Sequence, residues 1–154
     1  MEKILFINGS PHQNGETYQI GEALLKDKEH DVLQMVDYKV SQYGQVFEDD
    51  QIKDIFNEIK KADTIVIGSP VYWYTVSGLL KTFIDRTYML PQAQELQGKK
   101  LYVFAQGSMP SQECHNHITY LFTRFAHLMN MELKGLVIGP ASQKNKIIQD
   151  LHFL

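Results

Sequence analysis

Four stretches of this chain are apolar and rich in β-branched or aromatic residues, each running to a glycine: KILFING (3–9), DTIVIGS (63–69), KKLYVFAQG (99–107) and LKGLVIG (133–139). Near-continuous apolar runs of this length mark strands covered on both faces, and they limit the fold more than any other feature. HDVLQMVD (30–37) supplies a fifth strand. Between these runs the apolar period changes. Ile52, Ile55, Phe56 and Ile59 follow helical spacing just after the acidic pair Asp49–Asp50. Leu80, Phe83, Ile84 and Thr87 repeat it, as do Ile118, Leu121, Phe122 and Phe125. Ile20, Ala23 and Leu24 give a first helix, and Ile147, Ile148 and Leu151 a last one. Strand and helix alternate throughout, which predicts an α/β fold: a doubly wound parallel sheet with helices on both faces. Five strands fit the order 2-1-3-4-5 better than the six-stranded dinucleotide order.

No repeat, low-complexity tract or linker interrupts the pattern, so residues 1–154 are expected to form a single domain. A net charge of −3 gives no electrostatic case for nucleic acid or an anionic membrane. No stretch is long enough to span a bilayer, and the apolar run Ile4–Ile7 is too short for a signal-peptide core. The single cysteine, Cys114, excludes an internal disulfide and suits a reducing compartment, so a cytoplasmic location is expected.

In the order 2-1-3-4-5 strands 1 and 3 are neighbours, and a ligand belongs in the crevice at their carboxyl ends. Gly-Ser-Pro occurs twice, at 9–11 and 68–70, once after each of those strands. The first copy continues as GSPHQNGET (9–17) into a helix start, where free amides favour an anion. Ser10, Asn14 and Thr17 can add side-chain hydrogen bonds; Asn14 or Thr17 could instead cap the helix. No Gly-Lys-Ser/Thr follows, no GxGxxG exists, and strand 1 ends in Asn8 rather than a phospho-acceptor aspartate. The second copy leads into Tyr72, Trp73 and Tyr74. A phosphate loop beside a cluster of rings predicts a planar ligand carrying phosphate. Tyr72 and Trp73 are the candidates to meet the ligand, while Tyr74, which alternation in extended backbone turns away from Trp73, is expected in core packing or a dimer contact.

GSPHQNGET and GSPVYWYTVSGLLKTFIDR (68–86) resemble the two signature regions of the flavodoxin-like NAD(P)H-dependent flavin reductases, in the branch that includes iron–sulfur flavoproteins. The resemblance extends over nearly the whole chain through its strand and helix order. It implies an FMN cofactor with its phosphate in the first loop, at Ser10, His12, Asn14 and Thr17. The flavin ring would lie on Pro70, Val71, Tyr72 and Trp73, with Gln106, Gly107 and Ser108 at its far edge. It further implies NAD(P)H as electron donor, a quinone, azo, nitroaromatic or flavin acceptor, and a homodimer. Two departures from the pattern matter. Where the iron–sulfur members carry a cysteine cluster, VSQYGQVFEDD (40–50) has none. His12 stands where family members often have arginine. It is either a phosphate contact, so that binding should weaken as pH rises through the histidine range, or a solvated loop residue.

The remaining candidates are weaker. Cys114-His115-Asn116-His117 opens a helix on which neighbours diverge by about 100°, so it reads as a run of solvent-facing polar side chains rather than a metal site. Lys81 and Asp85 have the spacing of an exposed ion pair. Arg86 belongs to the second signature but could equally be a solvated helix-end charge. No acid, base or nucleophile is assigned, because a flavin would carry the chemistry. Two readings compete with a reductase: a flavodoxin-type electron carrier, which is typically more acidic than this chain, and a module that has lost its flavin.

Overall fold

The computed structural model describes residues 1–154. Strands β1 (Ile4–Asn8), β2 (His30–Gln34), β3 (Thr64–Pro70), β4 (Lys100–Gly107) and β5 (Glu132–Pro140) form one sheet in the order β2-β1-β3-β4-β5. Every neighbouring pair is parallel. Helices α1 (Glu16–Leu24), α2 (Ile52–Lys60), α3 (Gly78–Arg86), α4 (Gln112–Leu128) and α5 (Lys144–Leu151) alternate with the strands as the changing period predicts.

Alternate strand residues feed two cores. Leu5, Ile7, Ile65, Ile67, Leu101 and Val103 point to the side of α2, α3 and α4. Ile4, Phe6, Val66, Tyr102 and Phe104 point to α1 and α5. The central strands β1 and β3 are buried throughout, whereas the edge strands β2 and β5 are partly exposed. That edge position explains the mixed character of HDVLQ, which a continuous apolar run does not describe.

Two glycines set how closely α1 lies on the sheet. A Cβ on Gly21 would fall 2.2 Å from the Phe6 ring, and one on Gly68 would fall 2.4 Å from Phe104 and 2.9 Å from the Thr17 methyl. Larger residues at either position would lift α1, and with it Thr17, off the crevice. Three short 3-10 turns, at Met35–Asp37, Pro91–Leu96 and Ala141–Gln143, have no periodic signal in the sequence. The second of these starts at proline and buries Ala93 and Leu96.

Candidate active site at the switch point

The loop after β1 is held by a chain of side-chain amides. Asn8, fully buried, accepts from the Ser10 amide at 3.1 Å and donates to Gln34 at 2.7 Å. Gln34 in turn donates to the Gln13 carbonyl at 3.3 Å, and the Gln13 side chain donates to Asp37 at 2.5 Å. Neither Asn14 nor Thr17 caps α1. The cap position is Gly15, without a side-chain bond, so the amides of Glu16, Thr17 and Tyr18 donate to no protein acceptor. Those of Gln13 and Asn14 are likewise unpaired. An amide-lined helix start of this kind is suited to an anion.

Ser10 and Thr17 are buried, and each hydroxyl oxygen accepts one bond within the protein. Ser10 Oγ accepts from the His12 amide at 3.0 Å, and Thr17 Oγ1 accepts from Gln106 Nε2 at 3.0 Å. Both hydroxyl protons stay available to a further acceptor. The Gln106 side chain therefore reaches across to α1 instead of toward Ser108. His12 and Asn14 are exposed beside the same opening, with Gln13 and Asp37.

The loop after β3 behaves differently. Pro70 is the last residue of the strand and is buried. Val71 donates to the Gln106 carbonyl at 2.7 Å, which brings the β3 and β4 loops together. Tyr72 and Thr75 then exchange backbone bonds of 2.9 and 3.2 Å around Trp73 and Tyr74, whose φ angles are 47° and 67°. Positive φ at both central residues is the pattern of a type I′ turn, which ordinarily takes Asn-Gly. Aromatic residues there are strained, by about 1–2 kcal/mol each. The left-handed backbone turns both rings outward. Trp73 is 92% and Tyr74 60% exposed.

This corrects the expectation that Tyr74 packs into the core, which assumed extended backbone. A cavity of about 290 Å³ lies against the turn. Val71, Trp73 and Tyr74 wall one side, and residues 107–111 with Cys114 wall the other. Tyr72, 40% exposed, is not among its walls. Gly107 lets the β4 loop approach the β3 loop closely, since a Cβ there would lie 3.1 Å from that of Val71.

Met109, Pro110, Ser111 and Cys114 are cavity residues that the sequence did not reveal. Ser111 caps α4 by accepting from the Cys114 amide at 3.2 Å. Cys114 is buried, which corrects its reading as a solvent-facing side chain. Burial pushes its thiol up, so it is protonated and weakly nucleophilic at neutral pH.

Arg86 is also not a solvated helix end. Its guanidinium donates to both carboxylate oxygens of Asp50, at 2.5 and 3.3 Å, and to the carbonyl and hydroxyl of Ser41 at 2.9 and 2.7 Å. The two charged side chains are only 17% and 13% exposed. Burial pushes the Asp50 carboxyl up, but hydrogen bonds from Arg86, Ser41 and the Ile52 amide outweigh it and hold the group well below the usual carboxylate range. The cysteine-free segment 40–50 is thus pinned to α3 by an ion pair. Lys81 and Asp85 form the exposed pair that their spacing predicts, at 2.5 Å.

Sheets of this order take their ligand at the switch point between β1 and β3. Here that point offers hydrogen-bond donors on one side and an aromatic-walled cavity on the other, within a flavodoxin-like fold. The sequence profile of the NADPH-dependent FMN reductases matches residues 2–142, and the chain belongs to that family. A Bacillus subtilis protein named as an NAD(P)H-dependent FMN-containing oxidoreductase, YwqN, is 29% identical over 96% of this chain and 90% of its own length. An iron–sulfur flavoprotein of Archaeoglobus fulgidus is 31% identical over 56% of this chain, which spans about half of that relative (49%). Among solved structures, a Bacillus subtilis protein described as Trp repressor binding protein superposes with a TM-score of 0.69 at 28% identity, covering 96% of this chain and 90% of that one. An FMN-dependent NADH-azoreductase from Bacillus anthracis, in complex with FMN, gives 0.70 at 12% identity, covering 97% and 93%; that likeness is one of fold.

Proposed function

We propose that this protein is an FMN-containing reductase that takes a hydride from NAD(P)H and passes electrons to a small planar acceptor. The observation that carries the reading is the pairing, across one crevice, of a loop with unpaired amides and an aromatic-walled cavity. FMN has a phosphate for the first and a flat ring for the second. When bound, it would accept a hydride and release electrons singly or in pairs.

The residues have complementary parts. The unpaired amides of Gln13, Asn14, Glu16, Thr17 and Tyr18 and the hydroxyls of Ser10 and Thr17 would hold the phosphate. Val71, Trp73 and the 107–109 segment would border the ring, with Pro70 and Tyr72 flanking Val71 in the chain and the Gln106 carbonyl holding the Val71 amide. Cys114, buried and with its thiol pushed up by burial, is a weak nucleophile in the cavity wall. Trp73 and Met109, both exposed at the cavity mouth, favour flat apolar acceptors such as quinones, azo compounds, nitroaromatics or a second flavin. Their exposure also supports a homodimer that covers the mouth. The lone cysteine supports a cytoplasmic site of action.

The test is a visible spectrum of the purified protein before and after anaerobic NADH or NADPH. A yellow protein that either nucleotide bleaches is expected. A protein that takes up no FMN would overturn the reading, and one that neither nucleotide bleaches would favour an electron carrier.

A further inference from the structure

The two loops of the crevice are joined at their bases by the Gly9 amide, which donates to the Gly68 carbonyl at 2.8 Å, and by one buried hydroxyl outside both Gly-Ser-Pro copies. Ser77 caps α3, accepting from the Leu80 amide at 3.2 Å. The same hydroxyl donates to the Gly9 carbonyl at 2.6 Å, across 68 residues of sequence. Its own amide donates to Ser69 Oγ at 3.0 Å, and Ser69 donates to the Pro70 carbonyl at 2.8 Å. Ser69 and Ser77 are both buried.

The bond to Gly9 fixes a peptide plane. The amide of the Gly9–Ser10 peptide is held by Asn8 and its carbonyl by Ser77, so the unit is clamped at both ends. That orientation keeps a carbonyl oxygen directed at α3, where it cannot repel an anion in the amide-lined loop. Capping needs only an acceptor oxygen. Holding Gly9 needs the proton.

We infer that Ser77 is a positioning residue that couples the phosphate loop to the ring loop, so that a ligand touching both binds to a preorganised pair. The inference rests on the proposed FMN site. A ligand that spans both loops gains from their fixed separation; a ligand that engages one loop does not. Removing the hydroxyl should therefore penalise FMN far more than riboflavin, which lacks the phosphate.

The two roles of Ser77 separate with two variants. Glycine is a fair N-cap and alanine a poor one, yet neither can donate to Gly9. Stability, measured as the urea midpoint, should fall further for Ser77→Ala than for Ser77→Gly. FMN affinity, measured by quenching of Trp73 fluorescence, should fall about tenfold for both, or about 1.4 kcal/mol. Riboflavin affinity should change less than twofold, and Ser77→Thr should restore FMN binding. If Ser77→Ala does not fold, Ser77→Gly alone gives the FMN-to-riboflavin ratio. An unchanged ratio, or FMN losses that follow the urea midpoint, would overturn the role. Wild-type protein that binds neither flavin would sink the FMN site itself and the role with it.

Discussion

At 9–11 Gly-Ser-Pro lies beyond the end of β1, whereas at 68–70 the same three residues complete β3. The reason is their neighbours. β2 ends at Gln34, opposite Asn8, so on that side no strand carries the pairing further. β3 has β4 beside it, which pairs Pro70 with Gln106. The first copy therefore opens into a loop with unsatisfied amides, while the second feeds a tight turn. One loop holds donors in place through neutral side-chain amides. The other stores strain in two aromatic residues with positive φ. Identical tripeptides do different work because sheet neighbours decide where each strand stops.

The anchor outside both loops should show the largest effect and so isolate what belongs to the scaffold. Arg86→Ala leaves the Asp50 carboxylate buried and unpaired, which should cost about 3 kcal/mol of stability. The ratio of FMN to riboflavin affinity should stay the same. Chemical denaturation and flavin titration check both halves. The acid limb has a definite sign. The folded Asp50 carboxyl titrates below its unfolded counterpart, so its contribution is full above about pH 4 and is lost as pH falls below that. Asp50→Asn should be less stable at pH 7, and its stability should fall less steeply between pH 5 and 3.

Within the donor loop, Ser10→Asp would put a carboxylate where phosphate is expected. A loss of FMN affinity of at least 100-fold, about 2.7 kcal/mol, is expected, with riboflavin affected less than threefold. Equal losses for the two flavins would erase the distinction between the loops. The strained loop makes the opposite prediction. Replacing Trp73–Tyr74 by Asn-Gly supplies the preferred type I′ residues and should stabilise the protein by about 1–3 kcal/mol, the relieved strain less about 1 kcal/mol of glycine backbone entropy. FMN and riboflavin should then weaken alike, by about tenfold, which a parallel titration and thermal melt would resolve.

These contrasts also explain what could be read from the sequence. The sheet order was legible because four apolar runs and the mixed run 30–37 alternate with helical periodicity, and the two Gly-Ser-Pro copies follow the two strands that lie side by side at the switch point. The turn at Trp73 was not. YWYT contains neither glycine nor asparagine, so nothing local signals left-handed backbone, and the extended alternation assumed for Tyr74 failed there. Arg86 with Asp50 and Ser77 with Gly9 were equally hidden, since their partners are 36 and 68 residues apart. Cys114 was misread because its neighbours are polar, although its own position on α4 faces the core. Local chemistry and periodicity carry through a sequence; long-range hydrogen bonds do not.

The smallest effect concerns His12, the one basic side chain at the mouth of the donor loop. It is exposed, and its backbone amide, bonded to Ser10, fixes where the side chain starts. A solvated side chain beside phosphate contributes little, so His12→Gln should weaken FMN only about threefold, or roughly 0.6 kcal/mol, and leave riboflavin unchanged. The informative quantity is therefore the ratio of FMN to riboflavin affinity in the two proteins, read by parallel flavin titrations. An unchanged ratio would make His12 a solvated bystander and leave the donor loop dependent on its amides and hydroxyls alone.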